Sequence, residues 1–148
     1  ESNFYMIGSM GLASSIALGV AIKNPKKRIY VFDGDGNILM NLGSITTVGA
    51  LQQKNYVHIV FDNESHESTG GQPTHTRKID LKNMAKSANY IVYKTTTKNG
   101  LQGILTKIQN ISGPIMIIIK IRENNHVSKR VSLNAVKIRD RFMDSLKK

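Results

Sequence analysis

Residues 28–63 read RIYVFDGDGNILMNLGSITTVGALQQKNYVHIVFDN, and the pattern of this segment predicts the fold. It contains a short β-branched and aromatic run, a turn of alternating Asp and Gly, a helix-length segment, and a second apolar run that ends in Asp62 and Asn63. Apolar runs without alternation are typical of strands that are buried on both faces of a parallel sheet. The order strand, helix, strand therefore predicts a βαβ unit with a right-handed crossover.

The ends of these two predicted strands carry polar residues at one edge of the sheet. Gly34 and Gly36 let the backbone turn sharply near a ligand, and Asp35 places a carboxylate between them. Because open α/β sheets bind ligands at the carboxyl ends of their strands, we expect Asp35 and Asn63 to share one ligand. Their oxygens suit Mg²⁺, and the helix after Gly36 would direct N–H groups at a phosphate. The plain alternative is an Asp-Gly turn with a capping Asn.

Strand and helix patterns alternate along the rest of the chain. The predicted strands cover residues 5–7, 29–32, 56–61, 90–93 and 115–121, and the predicted helices cover residues 12–24, 41–53, 81–88, 100–111 and 134–146. This alternation predicts an α/β fold, with a doubly wound, largely parallel sheet and helices on both faces. Residues 64–77 lack periodicity, which indicates either a functional loop or a disordered one.

Length and composition indicate one intracellular domain. The 148 residues suffice for one hydrophobic core, so we predict a single domain, residues 1–148, in which residues 122–148 are a basic C-terminal extension. The chain has no cysteine, which excludes disulfides and thiolate metal sites and favours the cytoplasm. Its longest apolar run, residues 114–119, is too short to cross a bilayer, so we predict no membrane association. Because the chain begins with Glu1 rather than Met, we expect that upstream residues are missing.

The formal net charge of +11 is unevenly distributed. Residues 1–76 hold five Lys/Arg and six Asp/Glu, whereas residues 77–148 hold 16 and four. Such asymmetry is found in proteins that bind nucleic acid. Here the basic residues are spread singly, and no aromatic side chains are interleaved with them as stacking platforms. We therefore predict no nucleic-acid partner, but a solvated basic face or a positive field around an acidic substrate.

Common nucleotide, zinc and hydrolase motifs do not fit this sequence. G-x-G-x-x-G would need glycine at Leu39, and no Walker lysine motif occurs. His66 and Glu67 begin an H-E-x-x-H pattern that fails at Gly70, and no G-x-S-x-G elbow is present. Two candidates remain, the glycine-flanked turn 8–11 and the polar loop 64–77. Their plain structural alternatives are a strand-to-helix connection and a flexible solvated loop.

Three segments together resemble the diphosphate-binding domain of a family of thiamine-diphosphate (ThDP) enzymes, the phosphonopyruvate and sulfopyruvate decarboxylases. They are GSMGLASSIALGVA at residues 8–21, VFDGDGNILMNLGSITTVG at residues 31–49 and IVFDNESHESTGGQPTHT at residues 59–76. The resemblance rests on a GDG turn that is followed after about 27 residues by a D-N pair, and on the order of the three segments. It implies the ThDP-binding fold and the cofactors ThDP and Mg²⁺.

The resemblance also implies roles for matching residues. Mg²⁺ would be held by Asp35, by the side chain of Asn63 and by the backbone carbonyl of Ser65. The backbone N–H groups of Gly36 and Asn37 would bind the diphosphate. The full implied set of cofactor-binding residues is Gly8, Ser9, Met10, Gly11, Gly34, Asp35, Gly36, Asn37, Asn63, Ser65 and Gly70.

The same resemblance places the organic part of the cofactor. The carbonyl of Gly8 would bind the 4′-amino group, and Met10 would be the apolar wedge that bends the cofactor. The implied catalytic residues are His66, Ser68 and Thr69, which would lie over the thiazolium ring where a 2-oxo acid loses carbon dioxide. The implied substrate is a small 2-oxo acid with a second anionic group, phosphonate or sulfonate.

The resemblance leaves one catalytic part unsupplied. In the family, a glutamate from a separate pyrimidine-binding domain tautomerises the aminopyrimidine ring, and no segment of this chain resembles that domain. Glu64 and Glu67 lie in the wrong segment for this role. We therefore expect a pyrimidine-binding subunit or domain as partner, in a homo- or hetero-oligomer. On this hypothesis the chain is either the beta subunit of a split decarboxylase or the C-terminal part of a longer one.

Other functions stay open at this point. The residue that pairs with the substrate's second anion could be any of His66, Ser68, Thr69, His75 and Arg77. A carboligase of the acetolactate-synthase type is one alternative, and a ThDP-binding or interaction subunit without turnover is another. A basic nucleic-acid binder is the third, and salt-sensitive retention on nucleic acid would favour it.

Overall fold

The computed structural model describes residues 2–122 and 129–147. Its strands are β1 (Ile29–Gly34), β2 (Tyr56–Asp62), β3 (Ser65–His66), β4 (Gln72–Pro73), β5 (Ile91–Thr95) and β6 (Ile115–Lys120). Its α-helices are α1 (Ala13–Lys23), α2 (Asp35–Met40), α3 (Gly43–Leu51), α4 (Leu81–Ser87), α5 (Lys98–Lys107) and α6 (Ala135–Lys147). Short 3₁₀ helices cover Glu67–Thr69, His75–Arg77 and Ile108–Asn110. The described residues form two compact units, residues 10–122 and residues 2–9 with 129–147.

The larger unit is built on a parallel sheet with the strand order β1-β2-β6-β5. In its register Gly34 lies opposite Phe61, and Asp62 lies opposite Lys120. The carboxyl ends of β1, β2 and β6 therefore meet at one edge of the sheet. This arrangement confirms the predicted α/β fold with a parallel sheet.

Two hydrophobic clusters lie on the sheet and explain why its central strands lack alternation. Val60 of β2 and Met116 of β6 belong to the cluster that includes residues of α1, α3 and α4. Ile59 and Ile117 belong to the other cluster, which includes residues of α5. Because successive side chains of a strand point to opposite faces, β2 and β6 are covered on both sides, and helices lie on both faces as predicted.

The edge strand β1 does not match the sequence expectation. We expected its apolar run to be buried on both faces, but Tyr30 and Phe32 are 43% and 64% exposed while Val31 is buried. The cluster that includes residues of α5 contains no residue of β1, so this face of the edge strand lacks a helix among the described residues. The expectation of two-sided burial is therefore wrong for β1.

The helix predicted over residues 41–53 is divided and starts earlier than expected. Helix α2 begins directly at Asp35, and α3 begins only at Gly43. Asn41 separates them with a non-helical φ of −144°, and its side-chain Nδ2 donates to the carbonyl of Gly11 at 3.1 Å. This tertiary hydrogen bond has no signature in the helical pattern, which explains the misplaced boundary.

The segment without periodicity forms a hairpin rather than a disordered loop. Strands β3 and β4 pair antiparallel, with Ser65 opposite Pro73. The backbone N–H of Thr74 donates to the carbonyl of Glu64 at 3.0 Å and closes the base of the hairpin. We call residues 64–76 the cavity hairpin, because its first strand lines the cavity described below.

The smaller unit joins residues near the N-terminus to the last helix. The rings of Phe4 and Phe142 pack edge to face with 5.5 Å between centroids. Arg141 donates to the carbonyl of Asn3 at 3.0 Å and lies over the ring of Tyr5. The strand predicted at residues 5–7 is absent, and Tyr5 contacts Arg141 of α6 instead of pairing with a strand. The predicted C-terminal extension lies partly outside the described residues.

None of the helices in residues 2–122 and 129–147 combines the length and the hydrophobicity that a membrane span requires.

Candidate functional site

A cavity of about 340 Å³ lies at the carboxyl ends of β1 and β2. Its volume is in the range of small-molecule sites. The lining residues are Met10, Phe32, Asp33, Gly34, Asp35, Gly36, Asn37, Phe61, Asn63, Ser65, His66, Glu67, Ser68 and Ile121. The two strand ends that the sequence predicts to share a ligand therefore border one cavity.

Three oxygen donors of the predicted metal set line this cavity. Asp35 is the first residue of α2 and is only 1% exposed. Asn63 follows β2, and its Oδ1 accepts from the N–H of Ser65 at 3.0 Å. Ser65, whose backbone carbonyl is the third predicted donor, also lines the cavity, and its buried side-chain Oγ has no hydrogen-bond partner among the described residues. An amide oxygen has two lone pairs, so Asn63 Oδ1 retains one for a ligand.

Gly36 is required by the close approach of His66. A Cβ at position 36 would lie 2.6 Å from Nδ1 and 2.9 Å from Cε1 of the imidazole. Any side chain here would displace this ring, which also lines the cavity. The second glycine of the GDG turn therefore keeps the backbone of α2 and the cavity hairpin in contact.

Gly11 positions Met10 against the start of the site. Its φ of +86° favours glycine, and a Cβ would lie 3.0 Å from both the carbonyl of Asn37 and the Cβ of Asn41. The carbonyl of Gly11 also accepts from Asn41, as described above. These contacts anchor the turn to α2 and place the apolar Met10 in the cavity lining.

Two threonine hydroxyls bind the carboxylate of Asp35. Its Oδ2 accepts from the hydroxyl of Thr74 at 2.5 Å and from that of Thr76 at 3.0 Å. Thr76 also lies 3.0 Å from Oδ1 of Asp62, which is 5% exposed. The two threonines follow β4 at the far end of the cavity hairpin, and sequence reasoning assigned them no role. The alternating Thr74 and Thr76 in the segment PTHT were the one available signal.

Lys120 balances the carboxylates at this edge. Its Nζ lies 3.1 Å from Oδ2 of Asp62 and forms a shorter ion pair with Glu64. Partial burial alone lowers the pKa of Lys120, but the hydrogen bonds and charges of Glu64 and Asp62 outweigh it, so its pKa lies above the usual value. Glu64 is also 3.8 Å from Nε of Arg77. Among the described contacts, Lys120 and Arg77 therefore both pair with carboxylates of the chain itself.

Asp33 supports the GDG turn from within the sheet. Its Oδ1 accepts from the N–H of Gly34 at 3.1 Å, and its Oδ2 lies 3.3 Å from Nε2 of the fully buried His58. No role was predicted for Asp33, because the first Asp of the DGDG turn looks like an ordinary turn residue in the sequence.

The structure brings most of the predicted site residues together. Those that line the cavity are Met10, Gly34, Asp35, Gly36, Asn37, Asn63, Ser65, His66 and Ser68. Gly11, Thr69 and Gly70 are not among the lining residues, and Gly8 and Ser9 belong to the smaller unit. The role of each residue stays a prediction.

Several lining residues were not predicted. Phe32 and Phe61 stack with 6.2 Å between ring centroids. Together with Ile121 they form an apolar wall of the cavity. These residues lie at the aligned ends of neighbouring strands, so they could be predicted to line the cavity only from the strand order. Glu67 also lines the cavity, and its Oε2 accepts from Nδ2 of Asn63 at 3.0 Å.

Comparison with known proteins identifies the domain. The family of thiamine pyrophosphate enzymes, C-terminal TPP binding domain, matches residues 2–119. The chain belongs to this family. Thiamine diphosphate is therefore the cofactor of its relatives, and the cavity at the GDG turn lies within the matched TPP-binding domain.

Relatives of this TPP-binding domain include two kinds of decarboxylase. The chain is 40% identical over 149 aligned residues to the sulfopyruvate decarboxylase subunit beta of Methanocaldococcus jannaschii, a match that covers 100% of this chain and 79% of the relative. It is 42% identical over 123 residues to the phosphonopyruvate decarboxylase of Streptomyces viridochromogenes, which covers 82% of this chain but only 31% of that protein.

A solved structure shares the fold. The domain matches a thiamin diphosphate-dependent enzyme from Mycobacterium smegmatis with a TM-score of 0.70 and 16% identity. The match covers 79% of this chain and 23% of that one. At this identity the likeness supports the fold alone.

Proposed function

We propose that this chain is the ThDP- and Mg²⁺-binding component of a decarboxylase that acts on an anionic 2-oxo acid, sulfopyruvate or phosphonopyruvate. The observation that carries the proposal is the cavity that gathers Asp35, Asn63 and Ser65 beside the GDG turn. It occurs in a chain that is 40% identical over its full length to a sulfopyruvate decarboxylase subunit beta.

The donor chemistry of the cavity suits Mg²⁺. A carboxylate from Asp35, an amide oxygen from Asn63 and the backbone carbonyl of Ser65 are hard oxygen ligands, and phosphate and water would complete the coordination. The described residues contain no group of three His, Cys, Asp or Glu side chains that could hold a metal. This finding agrees with a set that has one carboxylate, because a Mg²⁺ site that includes phosphate needs few protein charges.

The protein's own residues would bind and shield the cofactor. When bound, ThDP supplies the carbanion stabilisation that decarboxylation of a 2-oxo acid needs. The backbone at Gly36 and Asn37 would face the diphosphate, and Met10 would support the bent cofactor. Phe32 and Phe61 give the cavity an apolar wall against which the organic part of the cofactor would pack.

Of the predicted catalytic residues, His66 and Ser68 line the cavity, and we assign them to the substrate. No Lys or Arg is among its lining residues, where Asp33, Asp35 and Glu67 supply carboxylates. Arg77, another candidate for the substrate anion, lies within 4 Å of Glu64. We therefore infer that His66 and Ser68 bind the substrate together with cationic groups from a partner.

A partner is also needed for the activating glutamate. Glu67 accepts a hydrogen bond from Asn63, and Glu64 pairs with Lys120 and does not line the cavity, so both acids already have partners within the chain. Relatives that are named subunit beta imply a second subunit in those proteins. We infer that a pyrimidine-binding subunit or domain completes this site in a homo- or hetero-oligomer. The cytoplasmic location stays a prediction from composition.

The test is release of carbon dioxide from sulfopyruvate, phosphonopyruvate and pyruvate, with ThDP and Mg²⁺ present. We expect turnover of one of the two anionic acids only when a pyrimidine-binding subunit is added to the chain. Full turnover by the chain alone would contradict the need for a partner.

Two outcomes would replace the proposal by an alternative. The chain is 25% identical over 126 residues to the acetolactate synthase isozyme 1 large subunit of Escherichia coli, so acetolactate should be measured in the same reactions. Acetolactate without net decarboxylation of either anionic acid would indicate a carboligase. ThDP binding with no turnover in the complete assembly would indicate a non-catalytic subunit.

A further inference from the structure

The buried carboxylate of Asp35 has an uneven hydrogen-bond arrangement. The hydroxyls of Thr74 and Thr76 both contact Oδ2, whereas Oδ1 receives no hydrogen bond from the described residues. A carboxylate that is only 1% exposed is costly unless donors stabilise it. The two threonines therefore determine which oxygen of Asp35 is left for a ligand.

The threonines are themselves held in place. Their hydroxyl oxygens are 2.8 Å apart, and Thr76 Oγ1 lies 3.0 Å from Oδ1 of Asp62. Asp62 in turn is paired with Lys120 at 3.1 Å. Because a threonine carries one hydroxyl proton, Thr76 donates to one of the two carboxylates at a time and links them. The orientation of Asp35 is thus tied to the ends of β2 and β6.

One hairpin connects all the residues concerned. Asn63 and Ser65 stand where the chain enters the cavity hairpin, and Thr74 and Thr76 stand where it leaves. The hydrogen bond from the N–H of Thr74 to the carbonyl of Glu64 brings the two ends together. The segment that carries two of the implied metal ligands therefore also supplies the donors to the third.

We propose that Thr74 and Thr76 are positioning residues for the metal site: they hold Oδ2 of Asp35 and leave Oδ1 to bind the ion. This inference rests on the proposed function. Residues that orient a metal ligand through hydrogen bonds commonly change metal affinity by about 10- to 100-fold when they are removed.

The test titrates Mg²⁺ into the full chain in the presence of excess ThDP and measures binding by calorimetry, with a titration of Mg²⁺ into ThDP alone subtracted. Thr74→Val and Thr76→Val remove a hydroxyl while they keep the shape of the side chain, and each should weaken Mg²⁺ binding about 10- to 100-fold. Thr74→Ser and Thr76→Ser retain the hydroxyl and should restore binding close to that of the wild type. Thr106→Val is the matched control, because Thr106 donates to Gln102 on the exposed surface of α5, and it should bind Mg²⁺ like the wild type.

Each outcome distinguishes the inference from the function on which it rests. If the wild-type chain shows no Mg²⁺-dependent binding of ThDP, the proposed function fails, and the inference fails with it. If the wild type binds Mg²⁺ but both Val variants bind it equally well, only the positioning role is overturned, even if their unfolding temperatures fall. Should Thr74→Val fail to fold, Thr76→Val carries the test, because Thr76 is less buried than Thr74.

Discussion

The contact between Gly36 and His66 gives a quantitative prediction about the GDG turn. In Gly36→Ala the new Cβ would lie 2.6 Å from the imidazole Nδ1, and ordinary contact begins at 3.4 Å, so the ring would have to retreat by about 0.8 Å. Overpacking of this kind costs about 1–3 kcal/mol. The half-buried ring can shift, so we expect a loss of about 1–2 kcal/mol in the free energy of unfolding.

Removal of the imidazole should reverse the sign of this effect. In a His66→Ala background the clash is gone, and alanine is favoured over glycine in the helix α2 by about 0.5 kcal/mol. The two substitutions should therefore show a coupling energy of about 1.5–2.5 kcal/mol. Urea unfolding of the four proteins measures it, provided that the slope of the transition is unchanged.

A glycine in open space serves as the control. Gly103 lies inside α5, and a Cβ there would meet nothing within 4 Å, so Gly103→Ala should stabilise the chain by about 0.5–1 kcal/mol in both backgrounds. Equal effects of Gly36→Ala with and without the imidazole would refute the claimed contact between α2 and the cavity hairpin.

Two further predictions concern packing and pH. Gly49→Ala should destabilise the chain by about 3 kcal/mol or more in thermal or urea unfolding, because its Cβ would lie 1.7 Å from the backbone carbonyl oxygen of Ala88, which cannot move aside as a side chain can. Lys120→Met should lower stability by removing the cation from Asp62 and Glu64. Since the pKa of Lys120 is raised in the folded state, its contribution should be complete at neutral pH and should shrink as the pH rises above the usual 10.5. A difference between wild type and variant that stays constant through this range would contradict the assignment.

The position of the site could be predicted from the sequence because parallel strands end at one edge of the sheet. Asp35 and Asn63 are 28 positions apart, yet a βαβ unit places both at the same end of the sheet, and both line one cavity. This inference needed only the strand positions, which the apolar runs reveal. The resemblance to ThDP enzymes then added the identity of the cofactor.

The environment of the edge strand could not be predicted in the same way. The runs at β1 and β2 are equally apolar, but β6 returns to lie between β2 and β5 and leaves β1 at the edge. Strand order depends on contacts between residues that are distant in sequence, so no local pattern distinguishes an edge strand from a central one. Tyr30 and Phe32 are exposed for this reason.

The roles of Thr74 and Thr76 in the cavity hairpin also could not be predicted from the sequence. Its sequence has no periodicity, and its value to the site lies in where Thr74 and Thr76 return after the turn. That position is fixed by the pairing of β3 with β4 and by the hydrogen bonds to Asp35. Such hydrogen bonds become visible only when the register of the hairpin is known.

Binding of ThDP by the wild type and by Asp35→Ala, each with Mg²⁺ and with a chelator, tests whether the GDG turn holds the metal and the cofactor. Calorimetry on the full chain should show Mg²⁺-dependent binding of ThDP to the wild type and to Asp140→Ala, a control at an exposed aspartate. It should show none to Asp35→Ala, because the carboxylate that would hold the metal is gone. An unchanged affinity in Asp35→Ala would show that Asp35 does not hold the metal and would contradict a ThDP site at the GDG turn.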